Sequence, residues 1–274
     1  MPTLINSRSM GISLIVIGTL LLITSLSYLA YRAITIGQLE KFEQSWPETA
    51  TPAIQLINSS PFTKQDDSIP ITFDYGLYPA NILLPIDWNN SYWAENLTLN
   101  PYSNIVEGYH TVNWDSLPSG HTLPTATKIK IPSIQVDASI EELDLIDLGM
   151  TRAYETPDRI VGHIPETANP GGIGNGWYFA HLESALNREG AIFKNLPLIP
   201  EKIRREEPVF IIIESNTTSY LYQVTQTAIK HKEELRVTES LSPVITLVTC
   251  VPRLVYDHRL LISAKLIGSK ETTR

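Results

Sequence analysis

The sequence predicts a mainly β domain with short helices, a closed barrel or a sandwich, preceded by one N-terminal transmembrane helix. Three observations predict it. Short runs rich in β-branched and aromatic residues, such as Val209-Phe210-Ile211-Ile212-Ile213, recur through the C-terminal half with turn residues between them, which is how strands read in a sequence. Residues 9–31 hold no charge and form one apolar run, long enough for a bilayer, which needs about 20 such residues. Proline outnumbers glycine, 19 to 14, which suits extended segments and loops better than a helical bundle.

The N-terminal segment divides into a short tail over 1–9 and a spanning helix over 10–31. A cleaved signal peptide would have an apolar core of only about 7–15 residues ending at small residues. Ala30-Tyr31-Arg32-Ala33 can mimic such a cleavage site, but the length favours a retained anchor. Tyr28 and Tyr31 fall where an aromatic belt would meet the headgroups. Arg8 on one side and Arg32 with Lys41 on the other set the orientation poorly. Residues 32–45 can prolong the helix until Trp46-Pro47 breaks it. Residues 32–124 read as a linker or small membrane-proximal subdomain: Ser, Thr, Asn and Pro dominate, yet Trp88, Trp93, Trp114, Tyr75, Tyr78, Tyr92 and Tyr102 give it more aromatic content than a disordered stalk carries.

Candidate strands follow at 127–135, 138–143, 158–163, 175–182, 208–215, 218–230, 244–250 and 258–267. A short helix is expected over Gly190-Ala191-Ile192-Phe193-Lys194-Asn195-Leu196, ended by Pro197. Residues 268–274 are expected to form a tail. Many short strands separated by turns fit a barrel or a sandwich, and composition alone does not choose between them. The net charge of −8 argues against a nucleic-acid binder, which normally presents a basic face. The run Gly171-Gly172-Ile173-Gly174-Asn175-Gly176 precedes a strand rather than a helix, so it is not a phosphate loop. The Cys/His spacing does not match a zinc site.

The chain has a single cysteine, Cys250. It closes the apolar run Val244-Ile245-Thr246-Leu247-Val248, and without an internal disulfide partner it is either an inert buried thiol or a nucleophile. A nucleophile needs a proton-transfer partner and an oxyanion stabiliser. Three histidines compete for the first role: His181 closes the strand Trp177-Tyr178-Phe179-Ala180, His163 follows Ile160-Val161-Gly162, and His258 stands beside Arg259. His110, His121 and His231 read as loop residues. For the second role Arg259 opens the strand that follows Cys250, which returns its guanidinium toward the sulfur, whereas Arg253 lies in the intervening loop. Thr249 can hydrogen-bond a substrate or simply satisfy its strand.

The string Thr246-Leu247-Val248-Thr249-Cys250 with an arginine opening the next strand resembles the signature of sortases, membrane-anchored cysteine transpeptidases of bacterial cell surfaces. The resemblance covers about 125–267. It includes Lys128-Ile129-Lys130-Ile131-Pro132-Ser133-Ile134-Gln135-Val136-Asp137-Ala138-Ser139-Ile140, similar to the first two strands of the sortase barrel, and the glycine-rich turn before the His181 strand. It implies an eight-stranded barrel with the site at one end, a cytoplasmic N-terminus and an external catalytic domain. By the same resemblance Cys250 is the nucleophile, His181 the general acid/base and Arg259 the oxyanion partner, with Thr249 as a substrate contact. The implied partners are a surface protein or pilin bearing a sorting signal, and an amine acceptor from a cell-wall precursor or a pilin lysine. The scheme requires no metal. Some sortases use calcium to order a loop, but Lys232-Glu233-Glu234-Leu235 offers two carboxylates, too few for a calcium site.

Other cysteine chemistries fit less well. A papain-like enzyme places cysteine well before histidine, whereas His181 precedes Cys250 here. L,D-transpeptidases want Ser/His-x-Gly-Cys-x-Arg, and Cys250 follows Thr249. A hydrolase on the same machinery and a non-catalytic surface module with a core cysteine stay open as alternatives. Leu123-Pro124-Thr125-Ala126-Thr127 departs from the Leu-Pro-x-Thr-Gly sorting signal at its last two positions, and Asp87-Trp88 lacks the proline of the Asp-Pro-Phe/Trp lid plug of some pilin-building sortases.

Overall fold

The computed structural model describes residues 7–46, 103–147, 152–154, 159–183 and 190–272. Asp87-Trp88 and most of the linker lie outside the described residues. Helix α1 (Ser7–Gly37) contains the apolar run. Its leucines stand in the open, Leu20, Leu21 and Leu22 each about 60% exposed, a cost in water that disappears in hydrocarbon. At 31 residues it is about 46 Å long, more than the roughly 30 Å of a hydrocarbon core, so its last turns continue beyond the apolar run. It is the one described helix long and apolar enough to cross a bilayer. A 3-10 turn (Leu39–Phe42) and strand β1 (Gln44–Ser45) follow, rather than the continuous helix expected to residue 45.

The barrel is built from β3 (Lys128–Ile131), β4 (Val136–Glu142), β7 (Val161–His163), β8 (Gly174–Phe179), β9 (Phe210–Glu214), β10 (Thr218–His231), β11 (Pro243–Val251) and β12 (His258–Glu271). Neighbours run β10-β9-β3-β4-β7-β8-β11-β12, and β12 pairs back onto β10, closing eight strands. Closure is possible because β10 and β12 each extend over 14 residues and their ladder carries register shifts at Leu221/Tyr222 and Val224/Gln226, bulges that bend a strand toward a second partner. Minor elements decorate this frame: α2 (Ser103–Val106), β2 (His110–Thr111) on the outer edge of β12, and the hairpin β5 (Leu145–Asp147) with β6 (Arg152–Tyr154).

Alternation along each strand sends one side inward. Ile129, Ile131, Val136, Ala138, Ile140, Tyr178, Ile211, Ile213, Tyr222, Ile245, Leu247, Leu260, Ile262 and Ala264 fill the barrel, all buried. The outer face of β8 and β11 carries a second cluster: Trp177 and Val248 pack with Leu143 and Ile164, flanked by Phe179, Leu235 and Leu261. This two-sided burial explains why 244–248 reads as an unbroken apolar run.

The glycine-rich turn sets the start of β8. Gly171 has φ +94°, and a Cβ there would meet the Tyr220 ring at 2.0 Å. Its amide donates to the Tyr222 hydroxyl at 2.8 Å, which ties the turn to the barrel wall.

Three sequence expectations are corrected here. The helix expected over 190–196 is instead a series of turns, followed by a 3-10 turn (Leu196–Leu198) and α3 (Ile199–Arg204). Pro197 and Pro200 occupy first-turn positions, where a missing N–H costs nothing. The tail expected from 268 is ordered to Glu271 by pairing with β10. His110 and His231 belong to strands β2 and β10, not loops.

Candidate active site

Strand direction gathers the site. β8 and β11 are parallel, in register from Gly174 beside Pro243 to Phe179 beside Val248. Parallel neighbours place their C-terminal ends together. Continuing that register by two residues sets His181, just past the end of β8, beside Cys250. The antiparallel partner β12 begins at the same end, with Arg259 directly opposite Cys250. Cys250 and Arg259 thus pair across two adjacent strands, and the extended β8 register carries His181 to the same row.

All three lie on the same face. Ala180 and Leu182, Thr249's strand-mates Leu247 and Val251, and Leu260 point into the core. His181, Cys250 and Arg259 alternate with them and so lie on the outer wall. The sulfur is therefore on the outside of the wall, near the end of its strand. The next rows down are Phe179–Val248–Leu261, Trp177–Thr246–Ser263 and Asn175–Val244–Lys265. The loop joining β10 to β11 leans on this wall, with the Thr238 carbonyl accepting from Trp177 Nε1 and Asn175 Nδ2 at 3.1 Å each. A cavity of about 300 Å³ opens over the two lowest rows, lined by Asn175, Trp177, Thr246, Ser263 and Lys265 among others.

Cys250 is partly exposed. Burial pushes its thiol above the ordinary range, and the charge of Arg259 pulls part of that back, as expected of a sulfur half-sunk in an apolar wall beside a cation. The thiolate is therefore scarce at neutral pH in the free protein. Alkylation by iodoacetamide should accelerate with pH through a midpoint above the ~8.5 of a free thiol. Arg259→Gln should move that midpoint higher still, since it removes the one influence that lowers it. An acid-shifted midpoint, or one unmoved by the substitution, would contradict this picture.

Arg259 is held rather than floating. Its Nη1 donates to the Tyr256 and His258 carbonyls, both at 3.0 Å. Tyr256 in turn donates its hydroxyl to Glu183, and Arg253 donates from Nε to the other oxygen of the same carboxylate. Those two bonds hold the Glu183 carboxyl below its usual range. Glu183 stands two residues after His181, so this cluster fastens the strap after His181 to the loop between β11 and β12. Arg253 is thus a paired residue rather than the solvated loop charge its position suggests, and the local hint of it is an acidic residue close behind His181.

The rival histidines are placed elsewhere. His163 is 1% exposed, bonded through Nε2 to the Ala168 carbonyl and the Thr167 hydroxyl at 3.2 Å, and burial lowers its pKa to about 4. It is a neutral core residue with its ring tilted against that of Tyr178, centroids 4.8 Å apart. His258 alternates with Arg259 onto the opposite face, paired with Asp257 at 2.7 Å and set edge-on to His231. Thr249 is 2% exposed, and its hydroxyl donates to the Ala180 carbonyl at 3.0 Å. That bond braces β11 against the residue before His181. Leu123-Pro124-Thr125-Ala126-Thr127 leads into β3 and is fixed there, with Asn169 donating to the Leu123 carbonyl and Thr127 bonded to the Glu214 carbonyl. Among the described residues, no three His, Cys, Asp or Glu side chains gather as a metal site would require.

The family model described as the sortase domain matches residues 129–267, just over half the chain. Among solved structures, the chain is similar to sortase A of Listeria monocytogenes at 16% identity, covering 56% of this chain and 93% of that one with a TM-score of 0.42. It is similar to a lid mutant of sortase A from Corynebacterium diphtheriae at 23% identity, covering 65% and 79% with a TM-score of 0.39. It is also similar to the sortase D5 transpeptidase of Clostridium perfringens at 23% identity, covering 56% and 84% with a TM-score of 0.39. Comparison with curated proteins finds no match.

Proposed function

The chain belongs to the sortase family, and on that premise we propose that it is a membrane-anchored cysteine transpeptidase using Cys250, His181 and Arg259 on an extracellular barrel. One observation supports the assignment of residues: Cys250 pairs with Arg259 across β11 and β12, and the β8–β11 register, extended two residues past its last pair, brings His181 to the same row. His181 takes the Cys250 proton, and the thiolate attacks the scissile carbonyl carbon of a sorting-signal peptide. The C–S bond forms as the carbonyl becomes an oxyanion, which Arg259 stabilises. The oxyanion collapses, the C–N bond breaks, and His181 gives its proton to the departing amine, leaving a thioester. An acceptor amine, from a cell-wall precursor or a pilin lysine, then attacks the thioester and yields its proton to His181. A new amide forms and the thiolate is released. The surface protein or pilin that bears the signal is the donor partner. Thr249, expected as a substrate contact, is buried with its hydroxyl on the Ala180 carbonyl and its backbone opposite Leu260 in the ladder, so its proposed part is to position the chain before His181. The scheme requires no metal.

Arg259 acts here as a fixed fork, a role a lysine's point charge on a flexible stem cannot fill. Arg259→Lys should therefore approach Arg259→Ala, each losing about 10²–10³ in rate, with an unchanged circular dichroism spectrum. Arg253→Ala removes one of the two bonds on Glu183 but leaves that from Tyr256, so it should alter rate only slightly or change peptide affinity. A dead Arg253→Ala beside a near-normal Arg259→Ala would reverse the assignment.

The reaction type is tested by product analysis. A peptide library patterned on Leu-Pro-x-Thr-Gly is incubated with and without an amine acceptor. Transpeptidation predicts an amide product that appears only with the amine. Identical carboxylate products in both arms would favour a hydrolase on the same machinery.

A further inference from the structure

The loop between the catalytic strands reaches back to the anchor. Tyr31 donates its hydroxyl to the Arg253 carbonyl at 3.1 Å, and Tyr28 donates to the Leu254 carbonyl at 3.5 Å. Arg32 pairs with Asp257 at 3.3 Å. These three residues of α1 stand where the apolar run ends, Tyr28 one turn inside it and Arg32 its first charge. Interfacial tyrosines mark headgroup level, so the loop 252–257 shares that level. At its tip is a leucine: Leu254 is 64% exposed and held at φ +66°, a left-handed conformation that L side chains disfavour. In water this is an unfavourable display of an apolar side chain. Beside the last turns of a spanning helix it is an insertion.

We propose that the loop 252–257 rests on the lipid bilayer, with Leu254 inserted into the outer interface beside Tyr28 and Tyr31. This rests on reading α1 as a membrane-spanning helix. The contacts make the loop's height above the membrane a property of the fold rather than of the linker. The Arg253 carbonyl follows Cys250 by three residues, at most about 10 Å at 3.3 Å per residue. The Cys250 row thus works at the lipid surface, and its substrates are peptides and amines delivered there.

The test uses the full chain in vesicles of phosphatidylcholine and phosphatidylglycerol. Cys250→Ala removes the only native thiol, and a single cysteine is then introduced as Leu254→Cys, Leu241→Cys or Leu21→Cys and labelled with an environment-sensitive fluorophore. Leu241 is 97% exposed two residues before β11, about 30 Å from the loop along that nine-residue strand. The label at Leu254→Cys should be blue-shifted and quenched by lipids carrying a nitroxide near the headgroup. The label at Leu241→Cys should be neither. The label at Leu21→Cys should be quenched best by a nitroxide deep in the acyl chain. A Leu254→Cys label that behaves like Leu241→Cys while Leu21→Cys is quenched overturns the docking of the loop. If Leu21→Cys also escapes quenching, the spanning helix itself is wrong and the proposal falls with it. Neither outcome depends on the chemistry assigned to Cys250.

Discussion

Cys250→Ala should abolish both peptide cleavage and any covalent adduct with a sorting-signal peptide. The chain has no other thiol, so no second sulfur can take over the attack. The substitution should leave the fold in place: the side chain is partly exposed on the outer wall, and the barrel's interior is filled by its neighbours Leu247, Val251 and Leu260. Loss of one small side chain at a partly exposed site costs far less than the 2–5 kcal/mol of truncating a large core residue. Turnover is measured by chromatography of the peptide, and folding by circular dichroism. Retained turnover would end the cysteine mechanism.

His181→Ala should cost about 10²–10⁴ in rate, the usual worth of a positioned proton donor. The comparison that gives this meaning is with the two other histidines near the wall. His258→Ala should cost much less rate, since His258 faces away from the sulfur and is engaged with Asp257. His163→Ala should act on stability instead. Its ring is buried against Tyr178 and bonded to Ala168 and Thr167, so it should lower the melting temperature and leave the per-molecule rate of the folded protein near normal. Because burial depresses the His163 pKa to about 4, its linkage is of definite sign. Its contribution to stability is whole above the unfolded value near 6.5 and shrinks as pH falls toward 4, where the folded state resists a proton that the unfolded state accepts. A His258→Ala variant more damaging to rate than His181→Ala would show that the wrong partner of Cys250 had been chosen.

Much of this was legible in the sequence, for definite reasons. Strands 208–215 and 218–230 were visible because β-branched and aromatic residues crowd them, and they stand within two residues of β9 and β10. The Cys250–Arg259 pair was visible because a short loop between two strands makes an antiparallel hairpin whose register follows from its length. The face was not visible. In 244–248 both sides are buried, since Ile245 and Leu247 fill the barrel while on the outer side Val248 packs with Trp177 and Ile164 and Thr246 bonds Asn175. Alternation therefore could not say whether the sulfur points in, out or toward the mouth. The short helix was misplaced because Pro197 was read as a stop, whereas the chain uses it in the first turn of the helical stretch that follows. The Glu183–Arg253–Tyr256 cluster and the contacts of Tyr28, Tyr31 and Arg32 with the loop 252–257 join residues far apart in the chain. No local pattern announces such pairs; only the closed topology brings them together.

The central claim is that Cys250 carries the acyl group between donor and acceptor. Intact-protein mass spectrometry tests it most directly. The full chain is incubated with peptides of the Leu-Pro-x-Thr-Gly pattern, quenched in acid and weighed, then chased with an amine. The account predicts a mass increase equal to the acyl fragment, mapped to Cys250 by proteolysis, absent in Cys250→Ala, and discharged by the amine into an amide of matching mass. Peptide cleavage that proceeds with an adduct on another residue, or that continues undiminished in Cys250→Ala, would contradict it.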